Sequence, residues 1–302
     1  MKTRLITAAV ALPILIASII YPPLQPLFIL IAVAAILVAL YEFWFLAKRV
    51  GAKPDIVVGY ASTAALLVGF FFNAPSNTPD LILIIVPGLV IATLTAEMLR
   101  GGPFDIPALV IAALAAEMLR GGPFDKMILS VGSTVLGVLY VAMLGGFLVS
   151  VRTGFDNPAP GYTTSYSVST HLLSFFFLVL MGSDTGAYFA GRGFGKHKLA
   201  PQISPGKTWE GAVGGMLASL LMATLAHYWF FPELSLRAAL PLAAVLNVLG
   251  VVGDLTESAL KRGAKAKDAA NILPGHGGFL DRLDSLLFNA PVIYYFALYY
   301  WH

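Results

Sequence analysis

The run NVLGVVGDLTESALKR, residues 247–262, changes character half-way along its length. Up to Gly253 it is almost wholly apolar. Beyond it, Asp254, Glu257, Ser258 and Lys261 fall at i, i+3, i+4 and i+7. In a helix that spacing stacks polar groups along one face. Ionisable side chains in a lipid-spanning helix are costly, so they pair with one another or face a water-filled cavity. The stretch reads as a transmembrane helix whose last turns line an aqueous site.

The rest of the chain supports a bilayer as its solvent. Of 302 residues, 58% are hydrophobic and 12% are charged, against roughly 25% charged in soluble domains, and the mean hydropathy is +0.81. A spanning helix needs about 20 mostly apolar residues. Segments of that kind lie near 5–21, 25–46, 56–74, 80–99, 105–120, 127–150, 169–190, 211–231, 237–260 and 286–301. The expected fold is an all-α, polytopic transmembrane bundle of about nine helices, with a range of eight to ten, and cytoplasmic active-site loops. Residues 1–168 would be N-terminal membrane helices and 169–302 the catalytic membrane region. The opening MKTR and the apolar stretch after it look like a signal peptide, but no small-x-small cleavage site follows. We read them as the first span.

Two features carry less information. Val86–Asp105 recurs as Ile106–Asp125 with 16 of 20 positions identical, and two copies make no solenoid. Glu97 and Glu117 lie near Arg100 and Arg120 in these copies and read as helix-end residues. The absence of cysteine removes disulfides, thiolate nucleophiles and zinc–sulfur sites. A net charge of +3 does not point to nucleic acid.

Charge gathers in residues 183–285, which hold eight of the 16 acidic and ten of the 19 basic side chains. The basic loops at 192–207 and 261–267 should face the cytoplasm by the positive-inside rule. Lys261, Arg262, Lys265 and Lys267 could neutralise a polyphosphate. Pro274-Gly275-His276-Gly277-Gly278 lets backbone amides approach a ligand. Asp281 and Asp284 follow one turn apart, with Arg282 between them. Carboxylates clustered beside cations suggest magnesium with phosphate, because magnesium takes one or two protein carboxylates and fills its octahedron with phosphate and water. Asp254 and Asp281 are the expected ligands. Asp184, in the Ser183–Tyr188 interruption of an apolar helix, marks a second cluster. Ser204, Lys207 and Thr208 complete it at the start of the next helix, where an anion is also favoured. Of the histidines, only His276, set among glycines, has a setting that suggests a role.

From Ser258 to Asp284 the sequence SALKRGAKAKDAANILPGHGGFLDRLD resembles the C-terminal signature of phosphatidate cytidylyltransferases, also called CDP-diacylglycerol synthases. Its fixed elements are a serine, Lys261-Arg262, Lys267-Asp268, His276-Gly277-Gly278 and Asp281-Arg282-x-Asp284. Upstream, Asp184 and Tyr188 match an Asp-x-x-Ala-Tyr segment. Ser204-Pro205, Lys207 and Glu210-Gly211 match a Ser-Pro-x-Lys-Thr-x-Glu-Gly element, from which Gly206 departs by lacking a basic side chain. The resemblance is clear over 180–302; the N-terminal half matches only as hydrophobic spans.

The resemblance implies magnesium-dependent transfer of CMP from CTP to phosphatidic acid at a bacterial-type inner membrane, with pyrophosphate released. It also implies a metal centre at Asp254 and Asp281, to which a second ion could be added. On this reading Asp284 and Asp184 support the metal, and Lys207, Arg262, Lys267 and Arg282 contact phosphate. Lys261, Asp268, Ser204, Thr208 and the His276–Gly278 turn shape the substrate site. Family members are often dimers, which the sequence neither supports nor opposes. A CTP-dependent lipid kinase and a membrane transporter are the rival readings.

Overall fold

A computed structural model of the chain describes residues 2–72, 127–155, 168–266, 269 and 278–301. The expected spans at 80–99 and 105–120, and the duplicated segment, lie outside the described residues. Lys267, Asp268, His276 and Gly277 lie outside them too.

The helices follow the apolar segments closely. They are α1 (Lys2–Ile20), α2 (Gln25–Arg49), α3 (Ile56–Phe72), α4 (Met127–Gly137) and α5 (Leu144–Gly154), followed by α6 (Val168–Phe194), α7 (Trp209–Trp229), α8 (Leu236–Gly263) and α9 (Leu280–Trp301). A π-helical turn, Val138–Met143, joins α4 to α5 without a break. Five stretches among the described residues are long and apolar enough to cross a membrane: Pro22–Arg49, Ile128–Gly154, Val168–Phe194, Trp209–Trp229 and Leu236–Gly263. The protein is an all-α membrane protein.

Burial sorts the helices into layers. The α4–α5 rod is predominantly apolar and buried over most of its length, as suits a helix at the centre of a bundle. Val138, Tyr140, Ala142, Leu144, Phe147 and Val151 are wholly buried there. Helices α2, α3 and α9 pack around α5. By contrast, α7 leaves Val213, Leu217, Leu221 and Leu225 exposed at every fourth residue, a stripe suited to lipid. Backbone groups at the α2–α3 connection are satisfied by α4: Lys53 N–H donates to Ser130 Oγ (2.9 Å) and Asp55 N–H to Thr134 Oγ1 (2.8 Å). Such internal pairing is what a bilayer demands of non-helical backbone.

The closest helix pairing is α6 with α7, and small residues explain it. A side-chain carbon added at Gly186 would stand 2.8 Å from the Gly214 carbonyl oxygen and collide with Ala218. Glycine here lets two helix backbones touch, as in small-xxx-small packing.

Two details depart from the sequence reading. The last helix begins at Leu280, not near 286, so Asp281 and Asp284 sit in its opening turns, where the helix dipole favours acids. The all-α expectation also omits a small antiparallel hairpin, β1 (Lys198–Ala200) with β2 (Ser204–Thr208), paired Lys198↔Thr208 and Ala200↔Ser204. Its strands are too short and polar to show the alternation that marks a half-buried strand.

Candidate active site

A cavity of about 520 Å³ opens between α6, the hairpin, α7, α8 and α9. Its acids come from three helices: Asp184 from α6, Asp254 from α8, and Asp281 and Asp284 from α9. Its cations are Arg192, Lys207 and Arg282, and Thr208 adds a hydroxyl. Residues separated by a hundred positions in the chain thus front one space. Ser204, Lys261 and Arg262 are not on its wall.

The hairpin delivers Lys207. Thr208 ends β2 and caps α7, its Oγ1 accepting from Gly211 N–H at 3.1 Å. Trp209 N–H donates to the His197 carbonyl (2.9 Å), and His197 Nδ1 lies 2.6 Å from Glu210 Oε1. The strand is therefore fastened to the first turn of α7, and Lys207 is carried one residue before the cap. Its Nζ stands 2.7 Å from Asp254 Oδ2. Both side chains remain partly open to the cavity, so the pair is held by geometry more than by desolvation.

Asp281 has a different setting. Its Oδ1 accepts from Lys261 Nζ at 2.6 Å, and its Oδ2 accepts from Gly278 N–H at 2.8 Å and Ala269 N–H at 3.3 Å. Lys261 also pairs with Glu257, which is only 1% exposed. This buried acid–base–acid group satisfies charges that would be prohibitive alone. Lys261 thus stands behind Asp281. Arg262 reaches the carbonyls of Ile203 (3.3 Å) and Ala266 (3.4 Å), tying the end of α8 to the hairpin.

Asp254, Asp284 and Asp184 lie near enough to act on one another electrostatically, with Lys207 in the same group. Amides lock the three helices in register. Asn247 donates to Ser183 Oγ at 2.6 Å, joining α8 to α6. Asn289 of α9 donates to the Leu246 carbonyl of α8 at 3.0 Å.

The donor set suits a hard divalent cation only in company. Among the described residues, no three acidic or histidine side chains converge to grip an ion by themselves. Carboxylates on one wall and cations on another leave space for an anionic ligand to supply the missing oxygens, which is how magnesium is commonly held.

Several contributors escaped the sequence reading. Glu257 was noticed for its spacing but not as a partner of Lys261. Arg192 stands in the sequence only as part of a basic loop, and the structure puts it on the cavity wall. Glu42 of α2, which accepts from the Phe279 and Leu280 amides, was missed altogether. An acid inside an apolar span was the available signal.

Comparison with known proteins identifies the family. A family model described as "Cytidylyltransferase family" matches residues 2–300. The chain belongs to the cytidylyltransferase family. Cytidylyltransferase relatives include the phosphatidate cytidylyltransferase of Haemophilus influenzae, 42% identical over 129 residues, covering 41% of this chain and 45% of that protein. The Bacillus subtilis protein of the same name is 38% identical over 168 residues, covering 55% and 57%. That of Staphylococcus saprophyticus is 46% identical over 127 residues, covering 42% and 49%. The chain spans about half the length of the curated relatives it matches.

Proposed function

We propose that the chain is a phosphatidate cytidylyltransferase, converting CTP and phosphatidic acid to CDP-diacylglycerol and pyrophosphate at the cytoplasmic face of the membrane. The observation that carries this reading is the cavity in which the Lys207–Asp254 pair faces Arg282, Asp281 and Asp284, between helices of spanning length. The names borne by the relatives support the choice of substrates. About nine spans, the number suggested by the apolar segments, would form the membrane body, and the cavity would open at its surface, where the phosphatidic acid headgroup meets dissolved CTP.

The reaction joins two polyanions. A phosphate oxygen of phosphatidic acid attacks the α-phosphorus of CTP; that P–O bond forms as the bond to the bridging β-phosphate oxygen breaks, and pyrophosphate departs with the electron pair. A phosphate monoester has its second pKa near 6, so the nucleophile is largely ionised without a strong base. The remaining task is positioning and charge stabilisation. Lys207, Arg192 and Arg282 would draw the phosphates together, and Thr208 would border the nucleotide. Asp254 and Asp281 would hold magnesium together with the phosphates, with Asp284 and Asp184 in support. When bound, that ion would neutralise phosphate charge and stabilise the leaving group. Lys261, itself held by Glu257, would orient Asp281. The family resemblance implies that Lys267 contacts phosphate and that Asp268, His276 and Gly277 shape the substrate site.

The deciding experiment supplies the reconstituted protein with phosphatidic acid, magnesium and CTP labelled at the α- or the γ-phosphate. Label from the α position should enter the lipid, with γ label leaving as pyrophosphate. Lipid labelled from the γ position would mean a kinase. Uptake of solute into vesicles without nucleotide turnover would mean a transporter.

A further inference from the structure

One buried acid has no part in the chemistry above. Glu42 lies near the end of α2, in a helix with no other acidic residue, and it is wholly buried. A carboxylate at such a place must be hydrogen-bonded to be tolerated. Both of its oxygens are. Oε1 accepts from Phe279 N–H at 3.0 Å, and Oε2 accepts from Leu280 N–H at 2.7 Å.

These amides open α9, where a helix presents N–H groups without intrahelical acceptors and a partial positive charge. Helices usually meet that need with a side chain at their own start. Phe279, whose carbonyl accepts from Leu283 N–H, stands at that start with no side-chain oxygen to offer, and Gly278 before it has no side chain at all. It also leaves the space that Glu42 enters: a side-chain carbon there would stand 2.5 Å from Glu42 Oε2 and 2.9 Å from its carboxyl carbon. The Gly278 amide itself donates to Asp281 Oδ2. A residue 237 positions away in sequence therefore grips the turn that Asp281 also grips from the other side.

We infer that Glu42 is a positioning residue of the active site, capping α9 from a neighbouring helix and so setting where the Asp281 and Asp284 carboxylates stand in the cavity. The activity half of this inference rests on the cytidylyl-transfer reading; the capping half does not. A group that orients carboxylates toward charge developing in the reaction affects turnover more than ground-state binding.

The test replaces Glu42 by glutamine in the full chain and measures amide hydrogen exchange together with transfer of α-labelled CMP to phosphatidic acid. Glutamine keeps the shape but offers one acceptor where two N–H groups need one each. Exchange should quicken at Phe279 and Leu280, and kcat per folded molecule should fall about 10- to 100-fold, the usual loss from removing a group that orients a ligating side chain. The KM for CTP should stay within about twofold. Gly278→Ala should reproduce both effects by crowding the same carboxylate. A structural role alone would reduce the folded fraction and leave kcat per folded molecule unchanged; that result in both variants overturns the inference. Unaltered exchange at Phe279 and Leu280 overturns it as well. If the unaltered protein transfers no label, the functional reading fails while the exchange measurement still decides the cap.

Discussion

At the residue scale, the two acids given to the metal differ in how they are held. Asp254 is partly exposed and pairs with a lysine on a strand, whereas Asp281 is fixed by one ammonium and two amides. Asp254→Asn should lower CMP transfer about 10²–10³-fold, the scale of losing one preorganised electrostatic contact, while the detergent-solubilised protein stays folded by size-exclusion chromatography. Near-normal turnover would remove Asp254 from the reacting centre. Lys261 is a different case, because its removal leaves Glu257 and Asp281 facing each other without a cation. Lys261→Met should destabilise the protein by about 3–5 kcal/mol in denaturant unfolding. The double variant Glu257→Leu with Lys261→Met should recover much of that stability without recovering full activity.

At the element scale, the hairpin and α7 act as one unit. The strand presents Lys207, the next residue caps the helix, and His197 with Glu210 closes the loop on the first turn. Thr208→Ala removes the cap and should cost about 1 kcal/mol of stability. Because Lys207 is adjacent, turnover should fall further than that loss of stability explains, as a transfer assay corrected for folded protein would reveal. Unchanged turnover per folded molecule would mean that the strand holds Lys207 without help from the cap. Close packing of α6 against α7 through Gly186 and Gly214 serves the same end, bringing Asp184 and Lys207 to one wall.

At the scale of the whole molecule, the cavity gathers helices from the C-terminal part, while α2 and α5 brace α9 from the N-terminal part. The basic loop after α6 should lie in the cytoplasm. The chain has no cysteine, so a single one can report on this without background. Gly193 is exposed, and a side-chain carbon added there meets nothing within 4 Å. Gly193→Cys should react with a membrane-impermeant maleimide in inside-out vesicles and stay unlabelled in intact cells. The reverse pattern would put the cavity on the side away from dissolved nucleotide.

The apolar segments alone determined that this is a membrane protein, and where most of its described helices run, because lipid forces each span to satisfy its own backbone and to be apolar along its length. Local spacing also exposed Asp254, Glu257 and Lys261 as one polar face, and Asp281 with Asp284 as an acidic turn, since residues a turn apart share a face whatever surrounds them. Only the tertiary structure decided which partner each one meets. That Lys207 faces Asp254, that Lys261 stands behind Asp281, and that Glu42 caps a helix it never touches in sequence all depend on how α2, the hairpin, α8 and α9 cross. Those crossings follow from packing between distant helices, for which periodicity along a single chain segment holds no record.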